Sequence, residues 1–198
     1  MLASLSFGPV VLTLLAATLA GASEKTESKE PAKTATQATA AAPATKAPAP
    51  TPDEQVAALE AQCQSSAEAR TKRHAEKTLF QRLGGEAKIH ALTQEVVRLH
   101  LQNPTIKHLF AHGDNDELAK RVAQFMISGT GGPKVYEGPT LAKSHADMKL
   151  TNADFMSAGG DIIQAMKNLG YGENEINDVV CTLVGLRDQV VLPKTQKP

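Results

Sequence analysis

The sequence predicts an all-α fold in one small domain, and three observations carry that prediction. From Thr78 onward the large apolar residues recur at three- and four-residue spacings, and glycine or proline stands at the ends of the runs. No run alternates for long enough to make a strand, and no internal repeat is present. The periodic part is also the right length for a single small domain.

The elements follow in chain order. The first segment, MLASLSFGPVVLTLLAATLAGAS, is apolar from about Phe7 to Ala20, short for a bilayer span at about 1.5 Å per residue. It ends in Ala20-Gly21-Ala22, the small-x-small pattern after which a signal peptidase cuts, although no Lys or Arg precedes the apolar run. Residues 1–22 read as an export signal, with an uncleaved membrane anchor as the alternative. The chain is then periplasmic, or membrane-tethered and facing the periplasm. Residues 23–52 are rich in Ala, Thr, Pro and Lys. They cannot bury enough apolar surface to offset their ordering entropy and read as a disordered linker, either a tether or a spacer left after processing. Residues 53–77 read as one polar leading helix carrying Cys63. Cys181 falls in the last apolar helix, so an exported chain allows one bridge stapling the leading helix to the core, with two free thiols as the alternative.

Within the periodic part, GGEAKIHALTQEVVRLHLQNP starts after a glycine pair, stops before Pro104, and places Ile89, Leu92, Val96, Leu99 and Leu101 in helical register. DELAKRVAQFMISGTGG puts Leu118, Val122, Phe125 and Met126 on one face and ends at Gly131-Gly132-Pro133. TLAKSHADMKLTNADF follows a loop with Pro139 and reads as a short helix in which Leu141, His145 and Met148 share a face. Thr151, with Asp154 three residues on, is a capping-box start for a helix with Phe155, Ile162, Met166 and Leu169 on one side. Gly170-Tyr171-Gly172 breaks the chain before a last helix striped by Ile176, Val179, Val180, Leu183 and Leu186. Residues 193–198 read as a disordered tail.

The bulk chemistry excludes several functions. Twenty-one basic and 21 acidic side chains leave no net charge to draw the chain to nucleic acid, and tryptophan is absent. There is no G-x-S-x-G elbow, Walker loop, C-x-x-C or H-E-x-x-H. His108 and His112 stand at i,i+4, either a metal-binding pair or a solvated surface pair. His145, alone on an apolar face, is either a core histidine satisfied by a backbone carbonyl or a metal ligand. Phe110 sits at a turn, as a core anchor or as an aromatic wall for a planar cofactor. The apolar helix bearing Leu118, Val122 and Met126 favours the ligand reading, since an inward imidazole facing an apolar wall suits haem.

At these residues the chain resembles the truncated haemoglobin family, group 1, and particularly its exported bacterial branch. LFQRLGGEAKIHALTQEVV is similar to that family's opening short helix, glycine pair and second helix, and NPTIKHLF to its D-P-x-x-x-x-F-F segment. GTGGPKVYEG resembles its G-G-P-x-x-Y-x-G signature, and SHADMKLTNADF its H-x-x-x-x-I-T-x-x-x-F. The resemblance covers about residues 78–192. It implies a two-over-two helical sandwich around haem b, with His145 as the iron's proximal ligand. Phe110 corresponds to the ring packed on the porphyrin, and Leu118, Val122 and Val97 to positions facing the bound gas. Leu141, Leu150, Phe155 and Met126 correspond to apolar haem contacts. A diatomic gas (O2, NO or CO) is the implied ligand, with an NO-detoxifying or peroxidase-like redox role and an electron donor as its enzymatic extension.

The departures from the family pattern matter. Many members carry Tyr where this chain has Val97 and Gln where it has Val122, both hydrogen-bond donors to bound dioxygen. Losing such a bond costs about 1.5–3 kcal/mol, roughly ten- to a hundredfold in affinity, which favours NO or CO over stable oxygen storage. Lys149 stands where the family has glycine. Arg121 is placed to donate to the ligand or to reach a haem propionate, and Lys120 to ligate iron if deprotonated, with surface charge as the other reading of both. A haemless helical interaction domain at the cell envelope and a His108/His112 metalloenzyme are the competing functions.

Overall fold

The computed structural model describes residues 48–191. The expected export signal (1–22), the expected linker up to residue 47, residue 192 and the expected tail (193–198) lie outside the described residues. Helix α1 (Pro52–Ser65) begins where the linker was predicted to continue. Thr51 caps it: its hydroxyl accepts from the Glu54 N–H, while Glu54 accepts from the Thr51 N–H at 2.7 Å. Pro52, with no N–H to satisfy, suits the first helical position. The single leading helix predicted over 53–77 is in fact two. Ser66 donates its hydroxyl to the Gln62 carbonyl at 3.0 Å, competes with the helical ladder, and breaks the chain before α2 (Ala67–Glu76).

The short α3 (Leu79–Arg82) is capped reciprocally by Thr78 and Gln81. Gly84, at φ +89°, then turns the chain into α4 (Gly85–Gln102) in a conformation that L side chains avoid. A 3-10 turn (Lys107–Phe110) leads to α5 (Asn115–Gly129), capped by Asp114. The chain continues through α6 (Leu141–His145), α7 (Asn152–Asn168), α8 (Glu173–Leu186) and a 3-10 turn (Arg187–Gln189). All regular structure among the described residues is helical, as predicted. Helix α4 packs on α5 and on α7, and α7 packs on α8, giving the two-over-two arrangement; α1 lies across α7 and α8. Gly132 lies so close to Phe80 and the Ile127 carbonyl that a Cβ would come within 2.8 Å of both, so no larger residue fits between α3 and the end of α5.

The core is built from Leu79, Leu83, Ile89, Leu92, Ile127 and Met166, all essentially buried. Each contributes about 1.5–3 kcal/mol relative to exposure. Three predicted stripe residues lie elsewhere. Leu101 is 41% exposed, because the buried face of α4 runs through Thr93, Val96 and Val97 to His100 at i+3 and i+4 spacing. Leu169 is the C-cap of α7 rather than part of its stripe, and is 43% exposed. Met148 lies beyond α6, which ends at His145, and is likewise 43% exposed. On α5 the buried residues are Ala119, Ala123 and Ile127, while Leu118, Val122, Phe125 and Met126 are half-buried.

Two links fasten the leading helices to the body. Cys63 and Cys181 form a disulfide, which decides between the two sequence alternatives. Asp178 on α8, with its side chain wholly buried, accepts from Arg73 of α2 at 2.5 Å and from Arg82 of α3. Arg82 also pairs with Glu175 at 2.9 Å. Burial alone pushes the Asp178 carboxyl up, but hydrogen bonds and charge from Arg73 and Arg82 outweigh burial and hold it below the ordinary aspartate range. A lowered folded value gives stability that is complete above the unfolded value, near 4, and lost as pH falls through the folded one. Asp178→Asn is therefore expected to lower unfolding free energy at neutral pH by about 3–5 kcal/mol. In urea titrations the gap between variant and parent narrows below about pH 4.

Candidate functional site

His145 closes α6, a five-residue helix started by Thr140, whose hydroxyl accepts from the Lys143 N–H. The imidazole Nδ1 lies 2.8 Å from the Leu141 carbonyl oxygen. A carbonyl only accepts, so Nδ1 carries the proton and donates, which leaves the lone pair on Nε2. The half-buried ring is thus oriented by its Nδ1–H, with Nε2, the nitrogen that ligates metals, directed away from the backbone. Lys149, four residues on, is the single non-glycine residue with positive φ (+51°) among those described. It occupies the family's glycine position and turns the chain from α6 toward the capping box of Thr151 and Asp154.

The predicted distal residues come from the neighbouring pair of helices. Val97 is buried on α4, and Leu118 and Val122 share one face of α5, a turn apart, with Met126 a turn further. Ala119 and Ala123 bring α5 close to α4 and leave the bulkier side chains on the adjoining face. Val97, Leu118 and Val122 carry no hydrogen-bond donor. Phe110, Leu118, Val122, Met126, Leu141, Leu150 and Phe155 are all half-buried, unlike the dense core beside them. Large apolar side chains left half-covered on several elements are the type of group that an apolar planar ligand buries.

Phe110 is stacked on His100, with ring centroids 5.1 Å apart and an interplanar angle of 23°. His100, itself buried, places Nδ1 2.8 Å from Asp161 of α7. Asn103 donates to the same carboxylate at 2.9 Å and to the Ser157 hydroxyl at 3.0 Å. This network joins the end of α4 to α7 and backs the Phe110 ring. The sequence reading missed His100 and Asp161 because they lie 61 residues apart. The signal was His100 itself, a polar residue on the buried register of its helix.

The other candidates are exposed to solvent. Arg121 is 60% exposed and pairs with Glu117 at 3.1 Å, on the rim of a polar cleft of about 420 Å³ that also involves Tyr136 and Pro139. Lys120 is exposed as well. His108 and His112 are both exposed, and the 3-10 turn bearing His108 eclipses residues three apart, so an i,i+4 pair shares no face there. No group of three or more His, Cys, Asp or Glu side chains able to hold a metal ion occurs among the described residues. No described helix is long and apolar enough to cross a membrane.

A two-over-two helical sandwich with a half-buried imidazole on a short helix is the architecture of a globin-type protein. The chain belongs to the bacterial-like globin family, whose model matches residues 78–191, and within it to the truncated globins. It is 30% identical over 101 residues to a group 1 truncated hemoglobin of Tetrahymena thermophila, covering 51% of this chain and 84% of that one. A group 1 truncated hemoglobin of Synechocystis is 26% identical over 106 residues, covering 52% and 86%. The crystal structure of the Tetrahymena pyriformis truncated hemoglobin in its Fe(III) form superposes with a TM-score of 0.55 at 26% identity, over 58% of this chain and 98% of that one. Membership implies haem binding, and the residue types present fit the group: an imidazole whose Nδ1 is held by a backbone carbonyl, and half-covered apolar side chains on α5, α6 and α7.

The αL backbone at Lys149 costs about 1–2 kcal/mol for an L side chain, partly offset in glycine by greater freedom of the unfolded chain. Lys149→Gly is therefore expected to raise stability by about 0.5–1 kcal/mol, whereas Lys149→Ala leaves it unchanged, as read by urea unfolding.

Proposed function

We propose that this globin holds haem b through His145 and binds a diatomic gas, with NO or CO favoured over dioxygen. The observation that carries the reading is the hydrogen bond from His145 Nδ1 to the Leu141 carbonyl, since it occupies Nδ1 and turns Nε2 outward as the nitrogen to meet iron. Haem supplies an iron with a coordination position open to a gas. Leu141, Leu150, Phe155, Phe110 and Met126 cover its apolar faces and exclude water. Arg121 is the cation nearest in role to a propionate partner, on breaking its exposed pair with Glu117. Val97, Leu118 and Val122 shape the gas side without donating a proton. A wall of that kind gives little to dioxygen, which gains charge on binding, and withholds little from NO or CO. NO detoxification or peroxidase-like redox chemistry, served by an external electron donor, is the enzymatic extension of this reading. The Cys63–Cys181 bridge supports an oxidising, exported location.

Reconstitution of the purified protein with haemin is expected to give a Soret band that His145→Ala alters or abolishes, and to raise the melting temperature. An unchanged band in the variant would sink the role of His145, and no band with an unchanged melting temperature would identify a haemless helical domain. Val122→Gln, which adds a donor to the gas side, is expected to slow dioxygen dissociation by roughly ten- to a hundredfold in stopped-flow measurements.

A further inference from the structure

Helix α1 lies before the family match, yet it is fastened at both ends to the part of the fold that carries His145. Near its start, Asp53 accepts from the Asn152 side-chain amide at 2.6 Å. In its second half, Glu60 faces Arg187 at 3.9 Å, and Arg187 Nε donates to the Asn152 side-chain oxygen at 2.8 Å. Asp53, Asn152, Arg187 and Glu60 thus close a ring joining α1, the first residue of α7 and the C-terminal 3-10 turn. That turn packs against α6. Arg187 is only 22% exposed, so its bonds are partly shielded from water. Cys63, one turn beyond Glu60, locks α1 to α8.

Helix α6 needs such support. A five-residue helix is too short to hold itself, because nucleation is unfavourable and few backbone bonds follow it. The six residues from 146 to 151 that join His145 to Asn152 include the left-handed Lys149, so their course is set by where Asn152 is anchored. Helices α2 and α3 are tied to α8 separately through Asp178, so release of α1 leaves the remaining core fastened.

We propose that α1 is a strap that positions His145, with Arg187 and Asn152 as its positioning residues and the Cys63–Cys181 bridge as its lock, so that thiol reduction loosens the α6 region. A dithiol reductant opens the lock by exchange. It delivers two electrons and two protons, Cys63 and Cys181 become thiols, and the dithiol closes to its own disulfide. The consequence for haem rests on the reading of His145 as the iron ligand; the consequence for the chain does not.

Hydrogen exchange of the full chain tests it, comparing residues 141–152 with residues 85–102 of α4. Dithiothreitol, Cys63→Ser/Cys181→Ser and Arg187→Ala are each expected to speed exchange in 141–152 about tenfold while 85–102 stays protected, and Arg187→Lys to restore most of the protection. An unchanged 141–152 segment, or equal loss in both segments, overturns the strap. On the haemin-loaded protein, the double serine variant is expected to shift the ferrous iron–histidine stretching band and to lose haem to apomyoglobin about tenfold faster. A band present but unmoved overturns the strap. Selective exchange with no such band in any form upholds the strap and overturns His145 as ligand.

Discussion

A carboxylate with no access to water must be neutralised where it lies, and Asp178 is neutralised by two arginines drawn from two other helices. Desolvating a lone charge costs several kcal/mol, so α8 can bury this face only if Arg73 and Arg82 arrive with it. Meeting that constraint fixes α2 and α3 against α8. It also positions the start of α4, because α3 feeds it through Gly84 and Gly85 within three residues. The two-over-two core therefore assembles around a charge that three helices must share.

The surface proposed for the ligand has the opposite character. It is built from apolar side chains that the core leaves half-covered, and its polar groups lie behind the surface rather than on it. His145 spends one nitrogen on its own helix, and His100 spends one on Asp161 while its ring supports Phe110. Both imidazoles are oriented by a committed Nδ1, an economical way to give a ring one direction in an apolar setting. On the proposed reading the gas side carries no donor at Val97, Leu118 or Val122, so selectivity there comes from shape and from what the wall withholds.

Helix existence and most boundaries were legible in the sequence, because caps such as Thr151 with Asp154 and breaks such as Gly131-Gly132-Pro133 act within a few residues. Membership of the truncated globins was legible too, through spaced motifs in one order. What was not legible depends on distant partners. Leu101 looked like a stripe residue because it is apolar, but the buried register passes through His100, whose burial is made tolerable by Asp161 on another helix. The break at Ser66 comes from a hydroxyl turning back on Gln62, a choice that helix propensity alone does not decide. The cysteines left both redox states open until their helices were seen to meet.

Ala119 and Ala123 have a consequence that reaches beyond packing. They lie with Ile127 on the buried stripe of α5, the helix that packs on α4. The depth at which Leu118 and Val122 stand is accordingly governed from the rear of the helix. If those two residues line the gas side as proposed, gas selectivity can drift by changes in residues that never meet the gas, with the lining itself left intact.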